Sequence, residues 1–152
     1  MIQILIVNIW ITDQFEALLC TNLDALAQKA RELETSDAPG EALVSWFRGG
    51  VAFVHSYSGV VALMASAHSD PESALYASCA TVHSAGEGLL LRAQAEGTAR
   101  ADMDGVDLFA LMSALGWLVD QPSFAPRADH LFDIIASAIL TNRSSDDVKE
   151  AT

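Results

Sequence analysis

From Asp13 to about Glu34 the apolar positions Phe15, Leu18, Leu19, Leu23, Leu26, Ala27, Ala30 and Leu33 return in steps of three and four. Those steps trace one face of a long amphipathic helix. Asp13 followed by Glu16 makes a capping box, with Thr12 as a competing cap. The run Thr35-Ser36-Asp37-Ala38-Pro39-Gly40 breaks the pattern. A second helix is predicted from about Glu41 to Tyr57, with Leu43, Phe47, Val51 and Val54 on one face. After Ser56-Tyr57-Ser58-Gly59 a short apolar helix follows, Val60 to about Ala67. Ser69-Asp70-Pro71-Glu72 is a start signal, because Asp70 can cap free amides and Pro71 suits the first turn. The helix it opens carries Leu75, Cys79, Val82, Gly86, Leu89, Leu90 and Ala93 and stops near Gly97. Asp104, with Asp107 three residues on, caps the next helix, and a last one runs from about Arg127 to Thr141.

These elements predict an all-α bundle of about six helices, with no sheet. The last two helices are apolar nearly all round, and a helix greasy on every side must be buried on every side. Each is therefore expected to meet its own core on one face and a second subunit on the other, so that two chains build an intersubunit four-helix bundle. The interface residues expected are Leu108, Leu111, Leu115, Leu118, Leu131, Ile134, Ile135, Ala138 and Ile139. The chain divides into an apolar N-terminal segment at 1–12, a helical domain at 13–141 and a polar tail at 142–152.

Composition narrows the function. Eight basic residues against twenty acidic ones give a net charge of −12. Nucleic-acid affinity rests on Lys and Arg neutralising phosphates, so this chain alone is not expected to hold DNA or an anionic membrane. Apolar residues make up 51% and charged ones 18%, which leaves apolar surface to be hidden against a partner. Cys20 and Cys79 lie far apart on apolar stripes and read as reduced core thiols in a cytoplasmic protein. Met1 to Ile11 is strongly apolar but too short to span a bilayer.

The stretch Leu89 to Leu108 carries a family resemblance. Arg92-Ala93-Gln94-Ala95-Glu96-Gly97 ends one helix, Arg100-Ala101-Asp102 forms the turn, and Asp104 opens an apolar run. This order resembles TetR-family transcriptional regulators, particularly those with SbtR-like C-terminal domains. Glu41 to Phe47 and Ser69 to Glu72 fit the same pattern upstream, so the resemblance covers about Asp13 to Leu140. It implies a ligand-binding and dimerisation domain, with a homodimer and a small apolar or amphipathic effector as partners. The family's DNA-reading helix-turn-helix has no counterpart in residues 2–9, which lack the set of polar and basic side chains needed to read base edges or hold phosphates. DNA contact is thus expected only through a head not present in this chain.

The resemblance implies a pocket among the middle helices, lined by Trp46, Phe53, Tyr57, Met64, His68, Cys79, His83, Met112 and Trp117. Aromatics and Met make an adaptable wall, and a few polar groups orient a ligand. Ordinary core packing competes with that role at every one of these positions. Glycines at 49, 50, 86, 88 and 116 fall inside predicted helices, which suggests close crossings or room for a ligand. The four histidines, His55, His68, His83 and His130, lie on four different elements with no metal-binding spacing, so no metal or cofactor is expected. No GxSxG elbow, phosphate loop or Cys–His spacing points to an enzyme. The rival reading is a helical protein–protein interaction module with no functional pocket.

Overall fold

The computed structural model describes residues 2–57 and 70–141, with no side chain described at 5 or 7–13. Among these residues the architecture is all-helical: α1 (Ile2–Leu33), α2 (Pro39–Ser56), α3 (Ala74–Ala95), α4 (Gly105–Val119), a 3-10 turn (Ala125–Arg127) and α5 (Ala128–Ile139). The expected helix at Val60 to Ala67, the pocket candidates Met64 and His68, and the tail from 142 lie outside the described residues.

α1 corrects the expected boundary. It is one helix of 32 residues that runs straight through Thr12 and Asp13, so neither residue caps it. Among its described side chains Leu19, Leu23, Ala27 and Ala30 are buried, while Ile2, Ile4 and Ile6 are exposed.

α2 starts two residues earlier than expected, because Pro39 has no amide hydrogen to leave unpaired in the first turn. α3 starts later. Asp70 Oδ1 accepts the Glu72 amide at 3.1 Å in a turn, and the cap proper is Ser73, whose Oγ accepts the Tyr76 amide at 3.0 Å. α3 ends as anticipated at the left-handed Gly97, φ 72°. The capping box of α4 is reciprocal: Asp104 Oδ1 accepts the Asp107 amide at 3.0 Å, and Asp107 Oδ2 accepts the Asp104 amide at 3.1 Å.

The core sits where α1 to α4 converge, around Leu19, Leu23, Leu43, Trp46, Phe47, Leu89, Leu90 and Leu108. α5 closes it with Phe132, Ala136 and Ile139. Glycine sets two of the crossings. At Gly116 an added Cβ would overlap Val54 of α2, and at Gly86 it would overlap the Trp46 ring. At one end of the α1–α3 pair Leu23 and Val82 wall the same cavity; at the other Arg92 meets the last carbonyls of α1. The two helices therefore run in the same direction.

Candidate functional site

The RAxxxG stretch is the local frame on which the site hangs. The Arg92 guanidinium donates to the carbonyls of Leu33, Glu34 and Ser36, closing the C-terminal end of α1 that its own helix leaves unpaired. Ala93 is fully buried, and its carbonyl accepts both the amide and the hydroxyl of Thr98. Gln94 Nε2 donates to the carbonyls of Arg100 and Met103 at 2.9 and 2.7 Å, stapling the turn between α3 and α4. Arg100 grips Asp102 through two bonds of 2.6 and 2.7 Å. That charged hydrogen bond holds the Asp102 carboxyl below its usual range. Each part of the motif fixes geometry, which explains its spacing.

Within that frame four helices enclose a cavity of about 40 Å³, walled by Leu23 and Leu26, Phe53, Cys79, Val82 and His83, and Phe109, Met112 and Ser113. Its lining is apolar and aromatic, with His83 and Ser113 as polar groups and a thiol from Cys79. Burial pushes the Cys79 thiol above its ordinary pKa, with a smaller push from Cys20. Such a volume admits a few waters; drug-sized ligands occupy roughly 300–1,000 Å³.

The His83 imidazole lies flat on Phe109, centroids 3.8 Å apart and planes 6° from parallel. The same two residues also line an outer cleft of about 150 Å³ with Glu87, Asp104, Gly105 and Val106. The stacked rings thus stand between the inner cavity and the outer cleft. Phe109 in turn meets the Trp46 ring edge-on at 6.0 Å.

Four of the sequence-predicted pocket residues, Phe53, Cys79, His83 and Met112, do come together around the cavity. Tyr57 stands one ring behind, 4.9 Å from Phe53. Trp46 is core packing: it is buried against Gly86, and its indole N–H donates to the Leu26 carbonyl at 2.9 Å. Trp117 does not join the group at all, since it is 57% exposed on the outer side of α4. Phe109, Leu23, Leu26, Val82 and Ser113 were missed. Phe109 lies in a run with no polar face, so nothing in its periodicity marks which way it points.

The expected interface residues also divide. Leu108, Leu115 and Ile139 are corrected: all three are buried in the chain's own core, and of them only Ile139 reaches the groove between α4 and α5. Leu111, Leu118, Leu131 and Ile135 are half-buried, and Ile134 and Ala138 are exposed. Of these, Leu111, Ile135 and Ala138 line an open groove of about 400 Å³ between α4 and α5, together with Ala110, Met103, Ile139, Arg100, Asp102 and Asp107. Among the described residues no three His, Cys, Asp or Glu side chains are grouped to hold a metal, and no helix is long and apolar enough to cross a membrane.

The comparisons agree with this architecture. The profile of the transcriptional regulator SbtR-like C-terminal domain matches residues 38–139, about two thirds of the chain. The fold is similar to the crystal structure of a TetR transcriptional regulator from Streptomyces coelicolor, with a TM-score of 0.67 and 21% identity, covering 84% of this chain and 73% of that one. No curated protein matches the chain. With the all-helical frame and the span of the profile match both in hand, the chain belongs to the TetR family of transcriptional regulators through its SbtR-like C-terminal domain.

Proposed function

We propose that residues 13–141 are the effector-sensing and dimerisation domain of a TetR-like regulator. The observation that carries the sensing half is the cavity among α1 to α4, closed from the outer cleft by the His83–Phe109 stack. A small apolar or amphipathic effector would displace that stack and swing the flexible Met112 aside, widening a space that is too small as it stands. Its apolar body would then sit against Leu23, Phe53 and Val82, and a polar group would find His83 or Ser113. Because α1 supplies Leu23 and Leu26 to the wall, expansion would press on α1. A ligand that binds the widened state better shifts the population toward it, and α1 carries the shift outward. DNA contact in this reading belongs to a helix-turn-helix head and not to residues 13–141. The dimerisation half rests on the apolar, half-exposed side of α4 and α5.

Thermal melts against a panel of hydrophobic and amphipathic compounds test the sensing half. Binding only the folded state must raise the melting temperature, by an amount that grows with the logarithm of ligand concentration above Kd. A raised transition for the wild type, lost in Phe53→Asp, is the expected result. The small volume of the cavity favours a second reading, a helical interaction module whose pocket is vestigial. No stabilisation by any compound, in a protein that still dimerises, would establish that second reading.

A further inference from the structure

The aromatic pairs beside the inner cavity differ in geometry. Phe53 and Tyr57 are tilted by 44°. His83 and Phe109 are 6° from parallel with centroids 3.8 Å apart, so one face of Phe109 is taken up by a planar heterocycle. So short a separation leaves little lateral offset, and ring quadrupoles favour that arrangement less than an offset or an edge-on one. Phe109 itself is held in place, since Trp46 meets it edge-on at 6.0 Å. The imidazole is therefore the part of the stack that can be exchanged.

It also has somewhere to go. Glu87 lies four residues beyond His83 on α3, hence on the same face, and both line the outer cleft. Side chains on a helix lean toward its N-terminus, which carries the Glu87 carboxylate back over the turn of His83. The stem of Glu87 rests against the first turn of α4, where a Cβ added at Gly105 would lie 3.5 Å from it. An imidazole swung outward from Phe109 thus enters a cleft whose wall supplies an acceptor for its N–H. The inner cavity, the space left by the ring and the cleft of about 150 Å³ then become one volume. That volume stays at the lower end of the roughly 300–1,000 Å³ of drug-sized ligands, which suits one or two fused rings. Ser113 lies four residues beyond Phe109 on the same face of α4, so a ring seated on Phe109 has a hydroxyl within one turn.

We infer that the effector is a planar aromatic compound of one or two rings, which takes the place of the His83 imidazole on the face of Phe109 while His83 swings to Glu87. The inference rests on the sensing reading above and narrows it, since an aliphatic effector would open the same cavity without stacking. Isothermal calorimetry of the full chain with 2-naphthol and with decahydro-2-naphthol tests it. The two share a skeleton and a hydroxyl, and only the first is flat. The gain of ring on ring beyond area burial corresponds to roughly two- to tenfold in affinity, and 2-naphthol is expected to bind tighter by that factor. Phe109→Leu, which keeps apolar bulk without an aromatic face, should abolish the preference. His83→Ala removes the competing ring and should tighten 2-naphthol binding by a similar factor, because a closed site lowers apparent affinity in proportion to its closed population. Circular dichroism checks that both variants keep their helices, and the wild-type comparison stands without them. Equal binding of the two compounds, or tighter binding of the saturated one, overturns the aromatic class and leaves the sensing pocket standing. Weaker binding of 2-naphthol by His83→Ala overturns the exchange of rings. If neither compound binds while others of the panel stabilise the fold, the class alone fails; if no compound does, the sensing reading fails with it.

Discussion

His83 and Phe109 stack face to face, and among the described residues they are the two shared by the inner cavity and the outer cleft. One comes from α3 and the other from α4, so the partition depends on how those helices sit against each other. Removing either ring should join two spaces now kept apart.

Phe109→Ala is accordingly expected to lower stability, by about 2 kcal/mol, below the range for a fully buried Phe because this ring is half-buried. It should also admit a hydrophobic dye that the wild type excludes. Urea melts and dye fluorescence measured on the same samples check both effects. A destabilised variant that remains dark would show that the partition does not guard an enterable cavity.

The glycines inside helices should separate by what stands opposite them. At Gly116 a Cβ meets Val54, which is β-branched and stiff, and the backbone of α2 behind it. Gly116→Ala should lose about 1–2 kcal/mol, since overpacking outweighs the gain in helix propensity. At Gly50 the obstacle is the thioether end of Met112, which can rotate away. Gly50→Ala should be close to neutral. Chemical denaturation of the pair decides the contrast.

Arg92 is expected to matter through the end of α1. Arg92→Ala frees the carbonyls of Leu33, Glu34 and Ser36 and should lose about 1–2 kcal/mol, with faster amide exchange confined at first to the α1–α2 turn. Arg92→Lys should recover less than half of this, because a point charge cannot reproduce the planar fork. Hydrogen exchange by mass spectrometry reads the location directly.

The two thiols should react in order. Cys20 is half-buried, whereas Cys79 is 2% exposed with its pKa raised by burial. A thiol reagent should modify Cys20 first and reach Cys79 only through unfolding. The sign of the pH effect follows from the raised value. The folded state prefers the neutral thiol, so that contribution to stability is complete below the ordinary thiol pKa and is lost as pH rises through the raised one. Stability of Cys79→Ala, a smaller and non-ionising residue, should fall overall but lose this alkaline component. Melts across neutral and alkaline pH check it.

Much of the fold was legible because it rests on local chemistry. Asp104 and Asp107 cap α4 in the way their spacing requires, and Gly97 ends α3 because only a left-handed residue fits there. The stripe from Leu19 to Ala30 faces inward as its three-and-four spacing demands. The start of α1 was misread because a capping pair within a helix looks the same as one before it, and here helix continues on both sides of Asp13. The site was half legible: Cys79 lies on the buried stripe Leu75, Cys79, Val82, Gly86 and Leu89 of α3, whereas in the nearly all-apolar α4 nothing marks which way Phe109 and Trp117 point.

The sequence by itself determined the helical class, the ends of α3 at Gly97 and of α4 at Asp104, that the charge repels phosphate, and the regulator family to which the helices belong. Tertiary structure alone decided the orientation of α4. Its residues are apolar around the whole circumference, so burial favours no rotation over another. The choice is made by shape, with Met112 seated on Gly50 and Val54 on Gly116. That lock turns Leu108 and Leu115 inward and leaves Trp117 facing out. Close packing across two helices distant in sequence cannot be read from either one.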